Sequence, residues 1–157
     1  MKAILFLAGG VGAALLFVFF VKFYLATPEK LFFFTVEAES DDPHRVLEVL
    51  EERLNEEGLN VIRVLSFDRK SGLYATLIAC NTEGVENLLI RVPFLSVLIP
   101  CNVVVYRAED WVRISILKEH IFIRSYADKL DNGDVKFIVD VYSRLRKVVV
   151  SMGKWSG

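Results

Sequence analysis

The chain has 157 residues, a formal net charge of −1 and 54% hydrophobic side chains, which is one ordinary domain with more apolar content than the roughly 45–50% of a globular chain. The excess is local: the stretch from Ala3 to Val21 holds no charge and nothing polar except glycine. With Lys2 and Lys22 set aside, residues 27–157 carry 17 basic and 20 acidic side chains, a net of −3, which excludes a nucleic-acid binder that lives on phosphate contacts. Two cysteines and two histidines are too few for a disulfide scaffold and match no common zinc spacing.

Residues 1–25 read MKAILFLAGGVGAALLFVFFVKFYL. The 19 residues from Ala3 to Val21, at about 1.5 Å each, span a bilayer's hydrocarbon thickness. A cleaved signal has an apolar region of only about 7–15 residues and then a small-x-small site; Tyr24-Leu25-Ala26 is a poor one. The expectation is an uncleaved single-pass anchor over 1–25, a linker over 26–32, an α+β domain over 33–152 and a tail over 153–157. Lys22 can snorkel to the headgroups with Phe23 and Tyr24 beside it. Lys2 and the α-amine nearly balance Lys22 and Lys30, but a very short basic N-terminus ahead of a signal-like core favours an extracytoplasmic domain at the cell membrane. Ala8/Gly12 and Gly9/Ala13 are small-x-x-x-small pairs that let membrane helices approach closely, although glycine is frequent in such helices anyway.

In the linker, Pro28 stops any helix continuing from the membrane. Phe32, Phe34, Val36 and Ala38 alternate with Thr35, Glu37 and Glu39, which makes a half-buried strand. Asp42 then caps a helix with Pro43 in its first position. Val46, Leu47, Leu50 and Leu54 recur at helical spacing, and Gly58 closes that helix. Residues 60–68 alternate as a strand, Arg69-Lys70-Ser71-Gly72 turns, and Leu73 to Ala79 returns as the second arm of a hairpin. Asn81 or Thr82 caps a short helix through Arg91, with Val85, Leu88 and Leu89 inward, and Pro93 ends it. Ser96 to Tyr106 (SVLIPCNVVVY) is the best central strand, with Pro100 marking a bulge or the true start. Trp111 to Leu117 is another strand. Residues 118–132 give no clear signal, since Ile121-Phe122-Ile123 is too short to assign. Asp134 opens a last helix with Phe137, Ile138, Val141, Leu145, Val148 and Val149 inward and Arg144, Arg146 and Lys147 late, where the dipole favours them. Hairpin-paired strands with helices on one face make an α+β sandwich.

One constellation carries chemistry. Cys80 ends a strand immediately before a helix N-terminus, where amide donors and the dipole favour a thiolate. Cys101 lies at the start of the next strand. If the two strands are antiparallel neighbours, both thiols lie at one end of the sheet. Three readings stay open: two small core residues; a disulfide, which needs an exported domain and would contribute roughly 3 kcal/mol for a loop of about 20 residues; or a ligand, redox or thiolate site formed by Cys80, Asn81, Pro100, Cys101 and Asn102.

The stretch from Ala79 to Tyr106, with Ala79-Cys80-Asn81, a short helix and then Leu98-Ile99-Pro100-Cys101-Asn102 running to Tyr106, resembles the signature of the domain-of-unknown-function family number 302. That family has a Cys-Asn-Pro turn opening its middle helix and a Leu-Pro-Cys run beginning a central strand that ends in Tyr. The resemblance covers residues 33–117, and the last helix, to about residue 150, is also in place. The chain departs at Thr82, where proline is usual, at Ile99, where leucine is common, and in its added N-terminal segment. Thr82 is still a capping-type residue. The resemblance implies a TATA-binding-protein-like fold, a curved antiparallel sheet with helices on one face, and a tendency to form homodimers. It implies no activity and no nucleic-acid binding.

Other candidates are weaker. His44, in the first turn of the first helix, reads as a surface residue; His120 has no ligand partner in the sequence. Glu48, Glu51, Glu52, Glu56 and Glu57 form a solvated acidic face, since divalent metals want oxygens converging from a loop. No hydrolase triad, phosphate loop or dinucleotide fingerprint is present. The reading is a membrane-tethered binding or interaction module, not an enzyme, with no catalytic residue, metal or cofactor assigned, a homo-oligomer as the expected assembly and the small-molecule ligand left open. Its alternative is an envelope redox or cofactor/metal-binding protein using Cys80 and Cys101.

Overall fold

The computed structural model describes residues 17–19, 28–66, 73–93, 95, 101–108 and 110–154. It divides into two units, Met1–Phe32 and Phe33–Gly157. In the first, residues 17–19 are helical and exposed, and Pro28–Phe32 forms helix α1. The expected linker thus contains a turn of helix: proline is tolerated in a first turn, where its missing N–H has no partner to lose. The expected anchor over 1–25 lies, apart from residues 17–19, outside the described residues. Among the described residues no helix is long and apolar enough to cross a membrane.

The second unit is an antiparallel sheet with helices. Its elements are β1 (Phe33–Ala38), α2 (Pro43–Glu56), β2 (Asn60–Ser66), β3 (Leu73–Cys80), α3 (Thr82–Arg91), β4 (Cys101–Ala108), β5 (Trp111–Leu117), α4 (Glu119–Ser125), α5 (Asn132–Ser151) and β6 (Gly153–Lys154). The sheet order is β2-β3-β4-β5-β1-β6, every paired neighbour antiparallel. β2 to β5 form a meander, and β1 reaches its place beside β5 only because α2 carries the chain across to the far edge.

Register explains the core. Val36 faces Ile114, which faces Val105; Ile116 faces Val103, which faces Leu77. All six are buried, because side chains alternate along a strand and these rows share one face. Val46, Leu50 and Leu54 of α2, and Ile138, Val141, Leu145, Val148 and Val149 of α5, supply the opposing stripes, at the i, i+3/i+4 spacing of an amphipathic helix. The other face of the sheet carries Thr35, Glu37, Thr76, Ile78, Val104, Tyr106 and Arg113, all half-buried.

Helix ends follow local chemistry. The Asp42 carboxylate accepts from the His44 amide at 3.0 Å, with Pro43 next in line, and Gly58 takes a φ of 73° just beyond α2. α5 opens earlier than its sequence suggests. Asp131 is the cap and Asp134 the reciprocal partner, each side chain accepting the other's backbone N–H, at 2.8 and 3.1 Å. Arg91, at the end of α3, binds both carboxylates and ties α3 to the start of α5. α3 also approaches α5 closely, since a Cβ on Gly84 would overlap the Phe137 ring.

Three further segments differ from expectation. The 118–132 stretch contains α4, whose Glu119 accepts from Arg146 of α5 at 3.0 and 2.8 Å. The tail contributes β6, two residues that pair with β1. β4 runs from Cys101 to Ala108, and the earlier part of the expected strand, with Pro100, lies outside the described residues.

Candidate functional site

Cys80 is the last residue of β3 and Cys101 the first of β4. The two strands are antiparallel neighbours, with Ala79 opposite Cys101, so the chain leaves and re-enters the sheet at one point. Strict alternation puts Ala75, Leu77 and Ala79 on the covered face and would turn Cys80 outward. Instead Cys80 is also fully buried: the strand ends there, and the backbone swings into Asn81, the extended cap residue of α3.

Both cysteines are free, and their thiols are hydrogen-bonded to each other. The Cys80 sulfur has the Cys101 thiol and the backbone N–H groups of Cys101 and Asn81 as its hydrogen-bonding neighbours. The Cys101 thiol lowers the Cys80 pKa against the opposing effect of burial, from 9.0 to about 7. Its partner moves the other way: the hydrogen bond with Cys80, then burial, pushes the Cys101 thiol well up. Tyr142 of α5 closes the group. Its O–H donates to Cys101, and burial first, then the charge and hydrogen bond of Cys101, raise its own pKa. The result is a buried cluster of Tyr142, Cys101 and Cys80 in which Cys80 is the thiol favoured as the anion.

The other candidates separate from this group. Asn81 contributes its backbone; its side chain makes no capping hydrogen bond. Asn102 is exposed on the opposite face, across from Ile78, because it follows Cys101 by one residue in a strand. Pro100 lies outside the described residues. His44 and His120 are exposed. Glu48, Glu51, Glu52 and Glu56 are exposed along α2, whereas Glu57 is half-buried and pairs with Lys147. Tyr142 has no place in the sequence reading, yet it sits one position from Val141 within the apolar stripe of α5. A tyrosine in such a stripe must find a partner for its hydroxyl when buried, and that was the available signal.

Among the described residues there is no group of three or more His, Cys, Asp or Glu side chains that could hold a metal ion. A cavity of about 480 Å³ lies at the β1–α2 turn, where Glu39, Asp41, Arg45, Arg53, Ser151 and Met152 line it. Arg53 there already donates to the Ser151 carbonyl at 2.6 Å and to its hydroxyl at 2.7 Å. Neither cysteine reaches this cavity.

The family described as "Domain of unknown function DUF302" matches residues 34–152. Among solved structures, the fold is similar to that of an "uncharacterized conserved protein DUF302 from Bacillus stearothermophilus", at a TM-score of 0.65 and 22% identity, over 77% of this chain and 98% of that one. No curated protein matches the sequence.

Proposed function

We propose, on the premise that this chain belongs to the DUF302 family, that it is a membrane-tethered binding domain whose site is the Cys80–Cys101 thiol pair. The observation that carries this reading is the mutual hydrogen bond of two free, buried thiols with Tyr142 behind them. Two cysteines that merely fill a core need no such partners, since a thiol packs as a small hydrophobe. Here three hydrogen-bonding groups surround one sulfur, which is how proteins favour a thiolate.

The test is alkylation of the native full chain by iodoacetamide, followed residue by residue by mass spectrometry. Cys80 should react at least about tenfold faster than Cys101, and Tyr142→Phe should narrow the difference. Equal rates, or no reaction at either thiol until the chain unfolds, would overturn the reading.

Tethering rests on the uncharged run from Ala3 to Val21 and the Lys22-Phe23-Tyr24 boundary, with the domain placed outside the cytoplasm and self-association expected through a homo-oligomer. The chain should stay with membranes through high-salt and alkaline extraction. A mature N-terminus near Thr27 would contradict the anchor.

A further inference from the structure

We propose that the cavity between the β1–α2 turn and the end of α5 binds a small zwitterion, a free amino acid or short peptide with an apolar side chain. This goes beyond the thiol reading, since no member of the thiol group lines the cavity.

The cavity has about 480 Å³, within the roughly 300–1,000 Å³ of small-molecule sites. Its walls are fixed by local structure. The chain leaves β1 through Glu39, Ser40 and Asp41, and that turn is pinned at three points. The Glu39 N–H donates to the Met152 carbonyl at 3.2 Å, the Asp42 N–H to the Ser40 hydroxyl oxygen at 3.2 Å, and Arg107 to the Asp41 carbonyl at 2.6 Å. α2 supplies a second wall: Arg45, Val49 and Arg53 follow at intervals of four, which makes one stripe of a helix, with Val46 beside them. Val46 and Met152 are buried and Val49 is half-buried, so the lining includes an apolar patch.

Charge selects the ligand. Two guanidinium groups, Arg45 and Arg53, and two carboxylates, Glu39 and Asp41, line the cavity. Among the described residues no ion pair joins them, whereas Arg91, Arg113, Arg144, Arg146 and Lys147 each hold a carboxylate. A simple anion would meet Glu39 and Asp41, and a simple cation would meet Arg45 and Arg53, so either one is opposed by like charge. A molecule that carries both charges answers both sets.

Arg53 gives the site its direction. Its Nη1 donates to the Ser151 carbonyl at 2.6 Å and to the Ser151 hydroxyl at 2.7 Å. Both hydrogens of that nitrogen are then used. The Nε–Nη2 edge has no protein partner among the described residues, and such an edge takes a carboxylate in two parallel hydrogen bonds. Ser151 holds the guanidinium in place before a ligand arrives, which lowers the entropic cost of binding. The ligand carboxylate therefore belongs at Arg53, its ammonium at Glu39 and Asp41, and its side chain against Val46, Val49 and Met152.

The experiment is calorimetric titration of the full chain, in mild detergent, with L-leucine and L-leucyl-L-leucine. N-acetylleucine, which lacks the ammonium, and leucinamide, which lacks the carboxylate, serve as the singly charged counterparts. A zwitterion should bind one to one, and each counterpart at least about tenfold more weakly, as loss of a charge-assisted contact predicts. The tighter of the two zwitterions tells a free amino acid from a peptide. Arg53→Gln should weaken binding by about tenfold or more. Glu39→Gln combined with Asp41→Asn alters only exposed side chains and leaves the lining basic. N-acetylleucine should then bind more tightly than either zwitterion, a reversal that loss of structure cannot produce. Circular dichroism shows whether each variant is folded, and if Arg53→Gln is not, the carboxylate variant decides. No binding of either zwitterion at millimolar concentration overturns the proposal. So does N-acetylleucine binding the native chain as tightly as a zwitterion, or a preference left unchanged in the carboxylate variant.

Discussion

On the open face of the sheet, Thr35 and Ser115 share a hydroxyl–hydroxyl hydrogen bond at 2.7 Å and Glu37 pairs with Arg113 at 3.1 Å. On the covered face, Tyr142, Cys101 and Cys80 form a buried cluster in which Cys80 is favoured as the anion. Both are polar contacts reaching across neighbouring elements. In the first set the hydroxyls bond each other and the charges of Glu37 and Arg113 cancel. In the second, an anion is favoured by hydrogen bonds alone, inside the core, with no cation among the groups that shift it. A buried polar network is costly when partly satisfied, and that cost is the physical ground for the role proposed for the covered-face group.

The comparison breaks first at the core rows. Ile114→Ala, on the covered face, should cost about 2–5 kcal/mol of unfolding free energy in urea. Val104→Ala, half-buried on the open face, should cost under about 1 kcal/mol. Similar costs would mean that something covers both faces.

The pH dependence of stability sharpens the contrast. Cys80 has a folded pKa of about 7 against 9.0 as its ordinary value, so between those values the unfolded chain holds more protons. Stability therefore rises with pH across that window, by about 2 kcal/mol. Cys101 is shifted upward and reverses the slope above about 9, where the unfolded thiol ionises and the folded one does not. Urea midpoints measured from pH 6 to 10 should trace this rise and fall, and Cys80→Ala should flatten the rising limb. A native chain already flat between pH 7 and 9 would contradict the favoured Cys80 anion.

The smallest effect belongs to the open face. Ser115→Ala leaves the Thr35 hydroxyl without its partner and should cost about 1 kcal/mol. With Thr35→Val added, the total should fall short of the sum of the single changes by about 0.5–1 kcal/mol, as expected for groups in contact. Strict additivity would show that the 2.7 Å contact carries no stability.

Strands β1 to β5 and the three longer helices were legible because each rests on a short-range pattern. Val36 and Ala38 alternate with Thr35 and Glu37; Asp42 and Pro43 mark a helix start; Val46, Leu50 and Leu54 keep helical period. The juxtaposition of Cys80 and Cys101 was also legible, since a strand end and a strand start separated by one short helix meet when their strands pair. What escaped needed tertiary information. α4 has only the half-buried Ile121 and Ile123 around Phe122 to signal an inner face. β6 is two residues long and exists because β1 offers it a free edge. Asp134 carries the residue type of a cap but sits three positions inside the helix, where the reciprocal bonds with Asp131 use it. The role of Tyr142 depends on what lies opposite it, which no local pattern records.

The place of β1 also has a consequence in time. It is the first strand to leave the ribosome, but its hydrogen-bonding partners are β5 and β6, and Thr35 meets Ser115 across 80 positions. At roughly 5–20 residues per second, β1 waits several seconds or more for the strand it joins, while the β2–β5 meander can pair from its own neighbours. Such distant pairing slows folding. For that interval an apolar strand, Phe33-Phe34-Thr35-Val36, stands unpaired. Pulse-labelling the nascent chain should find β1 protected last, only after β5 has emerged.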